Sequence, residues 1–159
     1  SALLRYNAYT GIRNAGILRV RSVDGSFAIS KLQVARDFLL TRLAVFGSRG
    51  GDGGVVLPLA VRKEFARMVA VKVLAWLGKD GYPTTAAALS LSPASNTSLI
   101  AWRGTHSPPD GTVVAANILT FAAISYQVKG QWTLRSRTGT LTVQEAYAGG
   151  PPLPGGRVV

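Results

Sequence analysis

The chain has 159 residues, a length that suits one domain with its own buried core. It is 47% apolar and only 16% charged, which excludes a disordered chain, and it lacks cysteine, which excludes disulfides, thiol catalysis and thiolate metal sites. Eighteen Lys/Arg against seven Asp/Glu leave a net charge of +11, and thirteen of those cations fall within residues 1–79 with only four acids.

A basic half on a globular domain points to a polyanionic partner, usually nucleic acid and less often an anionic membrane surface. A surface so poor in charge points to association of many copies. No apolar run reaches the roughly 18 residues that a membrane span requires. The first residues, SALLRYNAYTG, lack the charged start and apolar core of a signal peptide. No membrane partner is expected.

Residues 1–15 read as an extended basic arm carrying Arg5 and Arg13, with Tyr6 and Tyr9 either stacking on bases or packing on the domain. Residues 16–22 alternate, with Leu18 and Val20 on one face and Arg19 and Arg21 on the other. Asp24-Gly25 turns the chain, and residues 27–32, with Lys31, form the returning strand. Over residues 32–46 the period changes: Leu32, Ala35, Leu39, Leu43 and Phe46 recur three or four apart, which predicts a short amphipathic helix, with a strand as the alternative. Residues 47–54, GSRGGDGG, form a loop that fails the phosphate-loop pattern because no Gly-Lys-Ser/Thr closes it. Residues 55–61 read as a strand interrupted by Pro58, followed by the cationic cluster Arg62, Lys63 and Arg67.

Residues 68–77, MVAVKVLAWL, are the strongest strand signal. Val69, Val71, Val73, Ala75 and Leu77 make one wholly apolar face, while the other carries the single charge of Lys72. The turn formers of residues 78–83 end it, and Ala87, Leu89 and Leu91 alternate in a following strand, making a central hairpin. Further strands are predicted at residues 97–102, in one or two pieces over 113–128, at 131–137 and at 140–144. Turns fall at Lys129-Gly130 and Thr138-Gly139, and the loop RGTHSPPDG spans 103–111. About eight short strands with one short helix predict an all-β, single-domain jelly-roll sandwich. Its shell domain spans residues 16–147, with a Gly/Pro-rich tail at 148–159.

The chain announces no active site. His106 is its only histidine and sits in a Pro-rich loop, where a solvated side chain is the ordinary reading. No Gly-x-Ser-x-Gly element presents a nucleophile. Asp24, Asp52, Asp80 and Asp110 all fall in predicted turns, where aspartate is a turn former first. The protein is therefore read as no enzyme, with no cofactor, metal or small-molecule substrate.

Met68–Gly78, MVAVKVLAWLG, followed by a Gly/Pro/Thr turn and a small-residue strand, resembles an early jelly-roll strand of bromovirus-like coat proteins. The dense Arg/Lys arm of that family is absent, since residues 1–15 carry only Arg5 and Arg13. The resemblance implies a capsid protein of a small icosahedral RNA virus, assembled in the host cytoplasm into a virion shell around genomic RNA. The residues expected on the RNA, without sequence preference, are Arg5, Arg13, Arg19, Arg21 and Lys31, then Arg62, Lys63 and Arg67. The alternatives are a cellular single-stranded nucleic-acid-binding barrel using Trp76, Trp102 and Trp132 as a stacking platform, or a shell or tail component that never meets nucleic acid. The tryptophans fall in apolar strands, where core is the ordinary reading.

Overall fold

The computed structural model describes residues 29–47, 53–104, 106–120 and 125–148. The expected arm at 1–15, most of the hairpin at 16–32, the middle of the glycine-rich loop and the tail after Ala148 lie outside the described residues.

Among the described residues two helices come first: α1 (Lys31–Gly47) and α2 (Leu59–Phe65). Seven strands follow: β1 (Val71–Leu77), β2 (Pro83–Ala87), β3 (Ser92–Pro93), β4 (Ser98–Trp102), β5 (Val113–Leu119), β6 (Ser125–Arg135) and β7 (Thr138–Ala148). They form one antiparallel sheet in the order β2-β1-β5-β6-β7-β4-β3, curled into a half-barrel. The mostly β expectation holds, but a single sheet with two helices replaces the two-sheet jelly roll with one.

The concave side of the sheet holds the core. Leu74, Val114, Ile118, Val128, Trp132, Leu141, Val143 and Leu99 are buried there, with Leu57, Val61 and Phe65 of the α2 region filling the hollow. The strand read over residues 55–61 is thus replaced by a helix. Pro58 stands at its N-cap, because a fixed φ and a missing N–H suit a helix start as well as a strand edge. Arg62 and Lys63 ride on α2, and Arg67 follows it. The helix expected over residues 32–46 is α1, and Lys31, expected at the end of a strand, opens it instead.

The residues of β1 alternate as expected, but the faces are reversed. Ala70, Lys72 and Leu74 are buried, while Val71 and Leu77 are 50% and 68% exposed. Register places Val71 and Val73 beside Leu119 and Asn117 on the convex face, and Lys72 and Leu74 beside Ile118 and Ala116 on the concave one. The β1–β2 pair is the predicted hairpin, closed by a bond from the Gly78 N–H to the Tyr82 carbonyl, yet it sits at an edge of the sheet. Leu89 and Leu91 lie beyond β2 in the connection to β3.

Lys129-Gly130, read as a turn, lies inside the long strand β6 at a register shift against β7. A side chain at position 130 would collide with the Thr142 carbonyl, so the glycine marks a close approach of two backbones. The actual turn is Ser136-Arg137, two residues before the expected Thr138-Gly139. Ser136 takes φ +51°, the positive sign that a two-residue primed hairpin loop places at its first position.

Candidate functional site

Three arginines from three separate elements meet at one end of the half-barrel. Arg36 and Leu40 come from α1, Trp102, Arg103 and Gly104 from the end of β4, and Ser136 and Arg137 from the β6–β7 turn. Together they line an open pocket of about 540 Å³, within the size range of small-molecule sites.

Backbone bonds fix each contributor. Trp102 pairs with Thr138 at the last rung of the β4–β7 ladder, and the Arg103 N–H donates to the Arg137 carbonyl at 2.8 Å, one step further. The two arginines therefore spring from adjacent backbone. On the other wall, the Trp102 N–H donates to Thr41 Oγ1 at 2.9 Å, and that hydroxyl donates in turn to the Asp37 carbonyl at 2.8 Å. The buried Thr41 thus pins the middle of α1 to the end of β4 and sets Arg36 and Leu40 at the rim.

The charge of the pocket is unbalanced. Arg36 is paired at 2.9 Å with its own neighbour Asp37. Arg103 and Arg137 have no acidic partner among the described residues. Unpaired guanidinium groups lining one pocket raise its positive potential, which favours an anion there. Each offers a fork of donors matched to a carboxylate or phosphate, and the half-buried Trp102 adds an aromatic surface.

A second polar feature lies below α1. Lys72 is fully buried, its Nζ donating to the Leu91 carbonyl at 2.8 Å and lying 5.7 Å from the centre of the Phe38 ring. Desolvation, then the charge of Arg42, lowers its pKa to about 8.

The residues expected on nucleic acid are not brought together. Arg5, Arg13, Arg19 and Arg21 lie outside the described residues. Lys31 opens α1 and is exposed, Arg62 donates to Asn96 Oδ1, Lys63 is exposed, and Arg67 pairs with Glu64. None of them lines the pocket. Sequence reading did not single out Arg36, Arg103 or Arg137: Arg36 reads as a charge on the polar side of a helix beside Asp37, and Arg103 and Arg137 as cations at the end of a strand and beside a turn.

No family model and no curated protein matches the chain. Two solved structures do, both of HupZ from Group A Streptococcus. One aligns with a TM-score of 0.54 at 10% identity, covering 65% of this chain and 99% of that one. The other, of a histidine-to-alanine variant, gives 0.49 at 10% identity, with 57% and 98% covered. At such identity the first likeness speaks for the fold alone. It overturns the shell-protein expectation: the fold matched is that of HupZ, and the single curled sheet is not the jelly roll on which RNA packaging into an icosahedral shell rested.

Proposed function

We propose that this protein is a binding domain for a small organic anion, a phosphate or carboxylate carrying an aromatic or apolar body. The observation that carries the reading is the convergence of Arg36, Arg103 and Arg137 on one pocket beside Trp102, with two of the three guanidiniums lacking an acidic partner among the described residues. The arginines take the anionic end bidentately, and Trp102 and Leu40 cover the body. The side chains lining the pocket hold and orient a ligand, and the reading is of binding, not of catalysis.

The test is titration calorimetry of the whole chain with phenyl phosphate, benzoate and phenol. Binding of either anion, with phenol silent, is the expected result. The double variant Arg103→Ala/Arg137→Ala is expected to weaken anion binding by about a hundredfold, at roughly 1.5 kcal/mol for each charged hydrogen-bonding group removed. Equal binding by the variant, or no anion bound at low salt, would overturn the proposal.

A further inference from the structure

Among the described residues, the helical layer carries most of the large apolar side chains left exposed. Of fourteen such residues, nine fall between Ile29 and Val69. Four lie along one face of α1, Leu32, Leu39, Leu43 and Phe46, from 63% to 90% exposed, and Ile29 just precedes the helix at 58%. The opposite face, centred on the buried Thr41 and on Phe38, is the one that α1 turns to the sheet. A helix apolar on both sides is a helix covered on both sides, and the sheet covers only one.

Charge identifies the second cover. Each acid on this layer is tucked in while its cation stands out. The Asp37 side chain is 22% exposed against 64% for Arg36, and that of Glu64 is 12% against 53% for Arg67. Lys31 and Lys63 are exposed as well. The bond from Arg42 to the Ala66 carbonyl ties α1 to the end of α2, so the two sets of cations belong to one layer. Outward it offers apolar side chains and positive charge. A second copy would bring the same cations together in a chain of net charge +11, and a nucleic acid would leave the leucines and Phe46 in water.

We propose that this face docks on an anionic lipid surface. The α1 helix lies in the plane of the interface, with Leu39, Leu43 and Phe46 at the boundary of headgroups and acyl chains and Lys31 and Arg36 on headgroup phosphates. Its 17 residues span about 26 Å, and neither described helix is long and apolar enough to cross a membrane, so this is a surface contact. The contact shares Arg36 with the anion pocket and needs neither Arg103 nor Arg137.

The test is co-sedimentation of the whole chain with two kinds of vesicle: pure phosphatidylcholine, and phosphatidylcholine with about a quarter phosphatidylglycerol. Binding to the anionic vesicles alone, weakened by salt, is the expected result. Leu39→Glu/Leu43→Glu, at exposed positions that leave the fold unchanged by circular dichroism, is expected to reduce binding by about tenfold or more. Arg103→Ala/Arg137→Ala serves as the pocket control and is expected to bind vesicles as the unaltered chain does. Three results would overturn the proposal: no binding to anionic vesicles at low salt, equal binding by the leucine variant, or a loss confined to the pocket variant. A fall in particle size on Leu39→Glu/Leu43→Glu without vesicles would also overturn it, by making the face a contact between copies.

Discussion

Lys72 holds an amine where the molecule offers two carbonyls and an aromatic ring, with the like charge of Arg42 acting on it. Its folded pKa of about 8 lies below the 10.5 of the exposed side chain, so between these values the unfolded chain binds more protons than the folded one. Stability should therefore rise across that window and level off above it, by up to about 3 kcal/mol. Urea denaturation at steps from pH 7 to pH 10.5 measures this, with Lys72→Met as the reference that lacks the rise. Parallel curves for the two proteins would show that burial does not perturb the amine. A second residue-scale effect concerns glycine. A methyl group at Gly139 would run into the Trp132 ring, whereas one at Gly47 meets nothing within 4 Å. Gly139→Ala should cost about 2 kcal/mol or more, and Gly47→Ala should be neutral to slightly stabilising. Thermal melts of the two variants separate a packing constraint from a merely permissive glycine.

At the scale of elements, α1 and β1 share one lesson. The spacing of Leu32, Leu39, Leu43 and Phe46 locates the helix, and the alternation through residues 69–77 locates the strand. Both patterns, however, name the outward face, because periodicity says which residues lie together and not which side is covered. The lysine at position 72 reads as a surface mark until Leu91 and Phe38 are brought over it by chain segments far away in sequence. The bulge at Gly130 is hidden for a related reason, since Lys-Gly has the composition of a turn and only the Thr142 backbone shows the close approach. The pocket was the least legible part. Arg36, Arg103 and Arg137 are far apart in the chain and meet only through the β4–β7 ladder and the seat of α1 on Trp102. That seat is itself testable. Thr41→Val removes the hydroxyl that accepts the Trp102 N–H, leaving only the longer 3.2 Å contact to Ser90 Oγ. A loss of about 1–2 kcal/mol is expected, recovered by Thr41→Ser, as read by denaturant midpoints.

For the whole molecule, net charge and the arginine pocket pull in one direction. Binding of phenyl phosphate should weaken severalfold between roughly 0.05 and 0.5 M salt, because the partners are exposed and screened. A flat salt response in calorimetry would mean that the ligand is held by its apolar body. The sheet order also has a kinetic consequence. Strands β5, β6 and β7 follow one another in sequence and in space, and β6 and β7 join through only Ser136 and Arg137. In contrast, Ala75 pairs with Ala115 and Ser98 with Thr142, each across some forty residues of chain. The three-strand meander should thus form the folding nucleus, with β1 and β4 added late. Leu141→Ala should slow folding, whereas Leu74→Ala should chiefly speed unfolding, a contrast that chevron plots would display or refute. On this route the turn bearing Ser136 and Arg137 exists early, but Arg103 and Arg36 reach it only when β4 and then α1 arrive. Anion affinity is thereby a clock for the final step of assembly: a chain stalled as a meander has the turn and no site.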